Sequence, residues 1–125
     1  DDGVVATGQA GSPTHGDATD HAEMAALRAA SVALGRRDLA GTSLYSSMEP
    51  CLMCLSACHW AGVVRIVFAC GRAQLDPWYF EGTHDLYTIN AQNRRPIEIV
   101  HVPELEPAAL ETVRAWEADQ ASRRT

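Results

Sequence analysis

Two short stretches, His21-Ala22-Glu23 and Pro50-Cys51-Leu52-Met53-Cys54, decide how the rest of the chain is interpreted. Their histidine and two cysteines are residue types that bind Zn²⁺ through an imidazole nitrogen and two thiolate sulfurs. A structural zinc usually has four protein ligands, whereas a catalytic zinc keeps one position open. The pattern therefore predicts a zinc site with an open position, held by His21, Cys51 and Cys54. Glu23 is predicted to handle protons beside it.

The spacing of these residues favours one shared site. Cys51 and Cys54 are three residues apart at the predicted start of a helix, so both side chains can face the same side. The helix N-terminus also favours negatively charged thiolates. His21 is predicted to begin a second helix. We therefore expect two helix N-termini to meet at one metal ion.

Composition limits the other possibilities. The 125 residues are enough for one domain, and 46% of them are hydrophobic, which is ordinary for a globular protein. The formal charge of −6 argues against nucleic acid as the main partner, because nucleic-acid binders usually carry a basic patch. No apolar run is long enough to span a membrane, and no signal peptide is recognisable. A soluble, cytoplasmic protein is expected.

The chain has four cysteines, which raises the question of disulfides. In a cytosolic protein a Cys-x-x-Cys pair is more often a metal or redox motif, and the histidine upstream favours metal. Cys58 follows Cys54 by one helical turn and is predicted to be a buried core residue, because free cysteine is commonly buried. Cys70 is also predicted to lie in the core.

Hydrophobic patterning predicts an α/β fold in which strands alternate with helices. Since a helix joins the last two strands, those strands are expected to be parallel. Asp1-Asp2-Gly3 is typical of a hairpin turn, which implies a partner strand before it. The loop over residues 71–81 carries aromatic residues that could line a pocket or cover the core. We predict strands over residues 4–8, 42–47, 63–69 and 97–102, and helices over residues 21–34, 51–61, 83–91 and 107–121.

At the two stretches His21-Ala22-Glu23 and Pro50-Cys51-Leu52-Met53-Cys54, the chain resembles the zinc-dependent cytidine/deoxycytidylate deaminase superfamily. The resemblance extends over nearly the whole chain. The segment Leu44-Tyr45-Ser46-Ser47-Met48-Glu49-Pro50-Cys51-Leu52-Met53-Cys54 is similar to bacterial guanine deaminases and tRNA adenosine deaminases alike. His59-Trp60-Ala61 looks more like the guanine deaminases, which carry Tyr-Trp-Ala at this point. The small-residue motif of the tRNA enzymes is not found after Cys70.

The resemblance implies a fold, a metal site and a mode of assembly. The fold is a three-layer α/β/α sandwich with a mixed sheet, whose first helix and strand are apparently missing before Asp1. It implies Zn²⁺ on His21, Cys51 and Cys54, with Glu23 as the proton shuttle. Backbone amides near Cys51 and Ala22 are expected to contact the substrate, and Trp60 is expected to lie against its ring. Members of the superfamily are commonly dimers, so a homodimer is expected.

Two departures from the relatives lie outside the metal motifs. Gly8-Gln9-Ala10 stands where relatives have Gly-x-Asn, so the substrate contact of that Asn is missing or is supplied by Gln9 or Ser12. Gly82 stands where an acidic residue is expected. Glu81 remains as a candidate substrate contact, and His84 lies in the same predicted pocket loop.

The sequence therefore predicts hydrolytic deamination of a small-molecule nucleobase or nucleoside, a purine such as guanine, with release of ammonia. A cytosine or cytidine deaminase is one alternative. A tRNA adenosine deaminase is another, which the acidic charge disfavours. A zinc-binding pseudo-enzyme without catalysis is a third, although a purely structural site would have no use for Glu23.

Overall fold

A computed structural model describes residues 3–10 and 16–123 of the chain. Its sheet has three parallel strands that lie side by side in chain order, so the second strand is the central one. The α/β class and the parallel pairing of the last two strands are confirmed. The strands are β1 (Ser43–Met48), β2 (Arg65–Cys70) and β3 (Glu98–His101), and the helices are α1 (Ala22–Leu34), α2 (Leu52–Ala61), α3 (Leu86–Ala91) and α4 (Glu106–Arg123). Short 3₁₀ turns cover Arg72–Gln74, Pro77–Phe80 and Pro103–Leu105.

The main core lies on one face of this sheet. Ile66 of β2 is paired with Leu44 on one side and with Ile99 on the other, so the three side chains share a face. Leu55 and Cys58 of α2 pack against that face, and apolar residues of α1 and α3 complete the cluster. The two helices that carry the predicted metal ligands are therefore fixed to the sheet by their apolar sides.

The predicted strand over residues 4–8 is wrong. These residues form no strand in the structure, and Val4 and Val5 are 84% and 43% exposed. A strand is stabilised by hydrogen bonds to a neighbour, and none of the described strands pairs with this segment. The sheet of the described residues is accordingly all parallel, and the antiparallel member of the predicted mixed sheet is not found in it. The predicted turn at Asp1 and Asp2 lies outside the described residues.

Glycines end both metal-site helices, and Asp85 sets the start of α3. Gly35 and Gly62 have φ angles of 66° and 85°, and their N–H groups donate to carbonyls of the last helical turn. The helix predicted from residue 83 begins at Leu86, because the Asp85 carboxylate accepts hydrogen bonds from the Thr88 amide and hydroxyl. The backbone of residues 81–85 is thus left as a loop.

Helix α4 closes the other end of the core. Ala109, Leu110 and Val113 pack against a second cluster formed by Cys70, Leu75 and Phe80. The Glu106 carboxylate anchors the start of the helix by accepting from the Gly71 amide at 2.8 Å, with His101 Nε2 at 3.2 Å. None of the helices described is long and apolar enough to cross a membrane.

Asn90 joins α2, α3 and the start of β3. Its side-chain amide donates to the Ile97 carbonyl at 2.8 Å, and its Oδ1 accepts from the Ile97 amide at 2.9 Å. His59 Nε2 lies 3.0 Å from the same oxygen, while His59 Nδ1 lies 3.0 Å from the Leu55 carbonyl. Because Asn90 and Ile97 are both buried, the amide and carbonyl of Ile97 depend on Asn90 rather than on water.

Substitution of Asn90 by Ala is expected to lower the free energy of unfolding by about 3 kcal/mol, since it leaves two buried backbone groups of Ile97 without partners. Urea denaturation at fixed zinc concentration measures this. Asn93→Ala is the matched control, because the Asn93 side chain donates a hydrogen bond to the Ile89 carbonyl four positions earlier and supports no backbone group of Ile97. The control should lose no more than about 1 kcal/mol. Equal losses in the two variants would contradict the role given to Asn90.

Candidate metal centre

The metal site lies where α1 and α2 begin. His21 is the N-cap of α1 and Cys51 is the N-cap of α2, and neither side chain caps its helix. Both have the extended backbone angles that are typical of an N-cap residue. Cys54 lies in the first turn of α2 and is buried. The imidazole and both sulfurs are therefore free to point at one place.

The three donor atoms form a triangle of the size that zinc requires. His21 Nδ1 lies 3.5 Å from Cys51 Sγ and 3.5 Å from Cys54 Sγ, and the two sulfurs are 3.6 Å apart. A tetrahedral zinc with ordinary bond lengths places its nitrogen and sulfur ligands about 3.6 Å apart and its two sulfurs about 3.8 Å apart. The measured triangle fits three corners of that tetrahedron. No fourth metal-binding side chain among the described residues completes it.

The two thiols are coupled. Hydrogen bonding between the sulfurs lowers the pKa of Cys51 to about 5 and raises the pKa of Cys54, because the pair readily shares a single proton. The lowered pKa favours the thiolate form of Cys51 at neutral pH, and the thiolate is the form of cysteine that binds zinc.

Cys58 lies one turn deeper in α2, as predicted for a core residue. Its side chain is fully buried in the main cluster, and it does not belong to the group of side chains close enough to share a metal ion. Burial raises the pKa of the Cys58 thiol to about 12, so it stays protonated at neutral pH. Cys70 is buried in the second cluster.

Glu23 lies in the first turn of α1, beside the three ligands. Burial raises the pKa of its carboxyl above the ordinary value, and the nearby Cys51 sulfur adds to the shift. A backbone hydrogen bond, the His21 ring and the Cys54 thiol act in the opposite direction. A carboxyl group whose pKa moves towards neutrality can both accept and return a proton at physiological pH.

The other predicted site residues are placed differently. Ala22 is the first residue of α1, so its amide is one of those without an intrahelical partner. Glu81 is exposed and ends a 3₁₀ turn with a φ of 53°, an uncommon angle for a residue with a side chain. Trp60 is 91% exposed near the far end of α2. It lies nine positions after Cys51, about 14 Å along the helix, so this chain does not bring Trp60 to the metal ligands.

Gly8 holds the N-terminal segment against the start of α1. A Cβ atom at Gly8 would lie 2.5 Å from the Ala26 amide nitrogen and 2.6 Å from the Ala22 carbonyl oxygen. Only glycine permits such an approach of two backbones. Gln9 and Ala10 therefore follow a point fixed to the same helical turn as Glu23, while Ser12 lies outside the described residues.

We expect Gly8→Ala to push this segment away from α1 and to lower the free energy of unfolding by about 2 kcal/mol, because the obstructing atoms belong to the helix backbone. Thermal unfolding of the zinc-bound protein measures the loss. Thr7→Ala is the control, since Thr7 is exposed on the same segment. A Gly8→Ala variant as stable as the control would show that the close approach is dispensable.

Arg72 belongs to the candidate site, although no sequence motif identified it. Arg72 follows β2 and lines a shallow depression beside the metal ligand Cys51. The depression is also lined by Pro50, Cys51, Leu52, Leu55, His84, Leu86 and Ile89. A single arginine after a strand carries no recognisable signal, whereas His84 was already placed in the pocket loop.

Fold and site together define an α/β protein with a three-ligand metal centre, an open metal position and an adjacent half-buried carboxyl group. Comparison with known families agrees with this class. The family described as cytidine and deoxycytidylate deaminase zinc-binding region matches residues 1–70, which contain His21, Glu23, Cys51 and Cys54. The chain belongs to this family, and zinc is the metal that its site takes.

Individual relatives carry different names. Guanine deaminase of Bacillus subtilis is 42% identical over 69 residues, which are 55% of this chain and 44% of that protein. A tRNA-specific adenosine deaminase of Agrobacterium fabrum is 44% identical over 52 residues, 42% of this chain and 34% of that protein. A crystal structure in complex with 8-azaguanine matches with a TM-score of 0.77 at 28% identity, over 91% of this chain and 65% of that chain. This chain spans less than half the length of these two curated relatives.

Proposed function

We propose that this chain catalyses the zinc-dependent hydrolytic deamination of a nucleobase or nucleoside, with a purine such as guanine as substrate. The observation that carries the proposal is the triangle of His21, Cys51 and Cys54, whose sides of 3.5, 3.5 and 3.6 Å fit zinc and leave one position free. A half-buried carboxyl group beside an open metal position is an arrangement for hydrolysis rather than for structural support.

The three ligands would hold the zinc ion, which when bound acts as a Lewis acid and lowers the pKa of water. The apolar sides of α1 and α2 fix the ligand positions through the main core. His21 offers Nδ1 to the site, so its other ring nitrogen remains available to a hydrogen-bond partner. Cys54 is fully buried, which excludes solvent from that side of the site.

Glu23 would move the protons. In the overall reaction water replaces the exocyclic amino group, so the products are a ring carbonyl and ammonia. The Glu23 carboxylate would accept one proton from water and deliver it to the ring nitrogen. It would then take the second proton from the hydroxyl group added to the ring carbon and deliver it to the departing amine. Its raised pKa suits both directions of transfer, since the group must be a base first and an acid afterwards.

Observations other than the geometry of the metal site support the proposal of a purine substrate. The Bacillus subtilis relative is named guanine deaminase, and the structural relative with a TM-score of 0.77 was crystallised with 8-azaguanine. The formal charge of −6 suits a small-molecule substrate better than a polyanionic RNA. The homodimer expected from the resemblance remains a prediction, which sedimentation velocity measures directly.

Ammonia release from a panel of substrates tests the proposal. The zinc-loaded chain is incubated with guanine, guanosine, adenine, cytosine and cytidine, and ammonia is measured over time. Release from guanine above the other bases is the expected result. Release from cytosine or cytidine alone would move the assignment to a pyrimidine deaminase, and release from none by a zinc-loaded chain would refute the proposal. Deamination of a tRNA anticodon stem in the absence of activity on free bases would favour the tRNA alternative.

A further inference from the structure

Arg72 connects three parts of the site. Its backbone amide donates to Glu49 Oε1 at 3.0 Å, and Glu49 stands two residues before the ligand Cys51. Its guanidinium donates to the carbonyl oxygens of Gly82 and His84 and lies 4.7 Å from the centre of the Phe80 ring. Through its backbone amide and its side chain, Arg72 therefore links the loop of residues 81–85 to Glu49, which lies close before the ligand Cys51.

The backbone conformation of the 81–85 loop places the His84 ring against Gly82. Gly82 has a φ of 144°, which a residue with a side chain rarely adopts. A Cβ atom at Gly82 would meet the His84 ring, with Cε1 at 3.3 Å and Nδ1 at 3.4 Å. The missing side chain at position 82 thus leaves space that the His84 imidazole occupies.

His84 borders the depression next to the ligand Cys51. Most of the other lining side chains are apolar, and Arg72 and His84 supply its charged or hydrogen-bonding groups. The Arg72 guanidinium is already engaged with two carbonyl oxygens and an aromatic ring. The exposed His84 imidazole has a donor and an acceptor, which matches the mixed edge of a heterocyclic base.

We propose that His84 is a specificity-determining residue that contacts the edge of the substrate base, and that Arg72 is the positioning residue that holds His84 there. The inference rests on the proposed function, because it assumes that a heterocyclic base binds beside the metal. His84 makes the contact, while Arg72 acts only through the 81–85 loop.

Binding and exchange measurements separate this inference from the catalytic proposal. The probe is 8-azaguanine, and its Kd is measured by equilibrium dialysis against the zinc-loaded full chain. His84→Ala should raise the Kd about fivefold through loss of a hydrogen bond. Thr83→Ala, a substitution at an exposed residue of the same loop, should leave the Kd unchanged.

Arg72→Lys should raise the Kd and also speed amide hydrogen exchange over residues 82–86 more than tenfold, because one ammonium group cannot replace the planar guanidinium.

Each outcome decides the inference. An unchanged Kd in His84→Ala, or no binding of 8-azaguanine by the unsubstituted chain, would overturn it. Unchanged exchange in Arg72→Lys would overturn the positioning role. Exchange should stay normal in His84→Ala, because that variant keeps the Arg72 hydrogen bonds to the backbone. If the base binds and the variants behave as expected but no ammonia is released, the catalytic proposal fails while this inference stands.

Discussion

Replacement of Glu23 by Gln is expected to lower kcat for deamination by about 10³-fold while zinc binding is kept. The amide has nearly the same shape as the carboxyl group but cannot accept and return a proton. The helix position and the three ligands are unchanged by this substitution. Initial rates of ammonia release give kcat, and zinc content by atomic emission gives the occupancy of the site.

Glu104→Gln provides the matched control, since it makes the same chemical change at an exposed carboxyl group outside the site. Its kcat should equal that of the unsubstituted chain. A Glu23→Gln variant that keeps more than a tenth of the original kcat would exclude Glu23 as the proton shuttle. Loss of zinc from that variant would show instead that Glu23 supports the metal ligands.

The second large effect is expected from Cys54→Ser, which removes a thiolate from the ligand triangle. Zinc affinity should fall by more than about 100-fold, beyond the loss that accompanies removal of an outer-shell partner. Activity should fall with it. Metal competition with a chromogenic chelator measures the affinity. Because binding to the folded state stabilises it by about 2.7 kcal/mol at a zinc concentration 100 times the Kd, the zinc-dependent rise in Tm should also shrink.

Cys58→Ala is the control for this experiment. Cys58 is also a buried cysteine of α2, one turn beyond Cys54, but it does not belong to the ligand triangle. The variant should lose stability through a small cavity and still show the full zinc-dependent rise in Tm. Equal loss of zinc affinity in the two variants would mean that Cys58 is a ligand after all.

The central part of the fold followed from local patterns. The apolar, β-branched run around Ile66 predicted a buried strand, and the helix between it and β3 predicted their parallel pairing, which the structure shows. Gly35 predicted the end of α1. The segment at Val4 and Val5 was predicted wrongly because alternation and turn residues describe a single segment, whereas a strand requires a partner.

Sequence by itself determined the identity of the metal site. His21, Cys51 and Cys54 have the chemistry and spacing of zinc ligands, and a nearby Glu23 follows from the same short motif. Residue type and the spacing within each of the two motifs can be read directly from the sequence, because each motif occupies only a few consecutive positions.

Only the tertiary structure decided how closely the two ligand-bearing stretches meet and what surrounds them. The triangle of 3.5, 3.5 and 3.6 Å joins α1 to α2 across thirty positions of the chain. The close packing of Gly8 against α1 and the hydrogen bond from Arg72 to the 81–85 loop are likewise contacts between segments that are separated in the sequence. Such contacts depend on how helices pack on the sheet, and packing is a property of the whole core rather than of any local pattern.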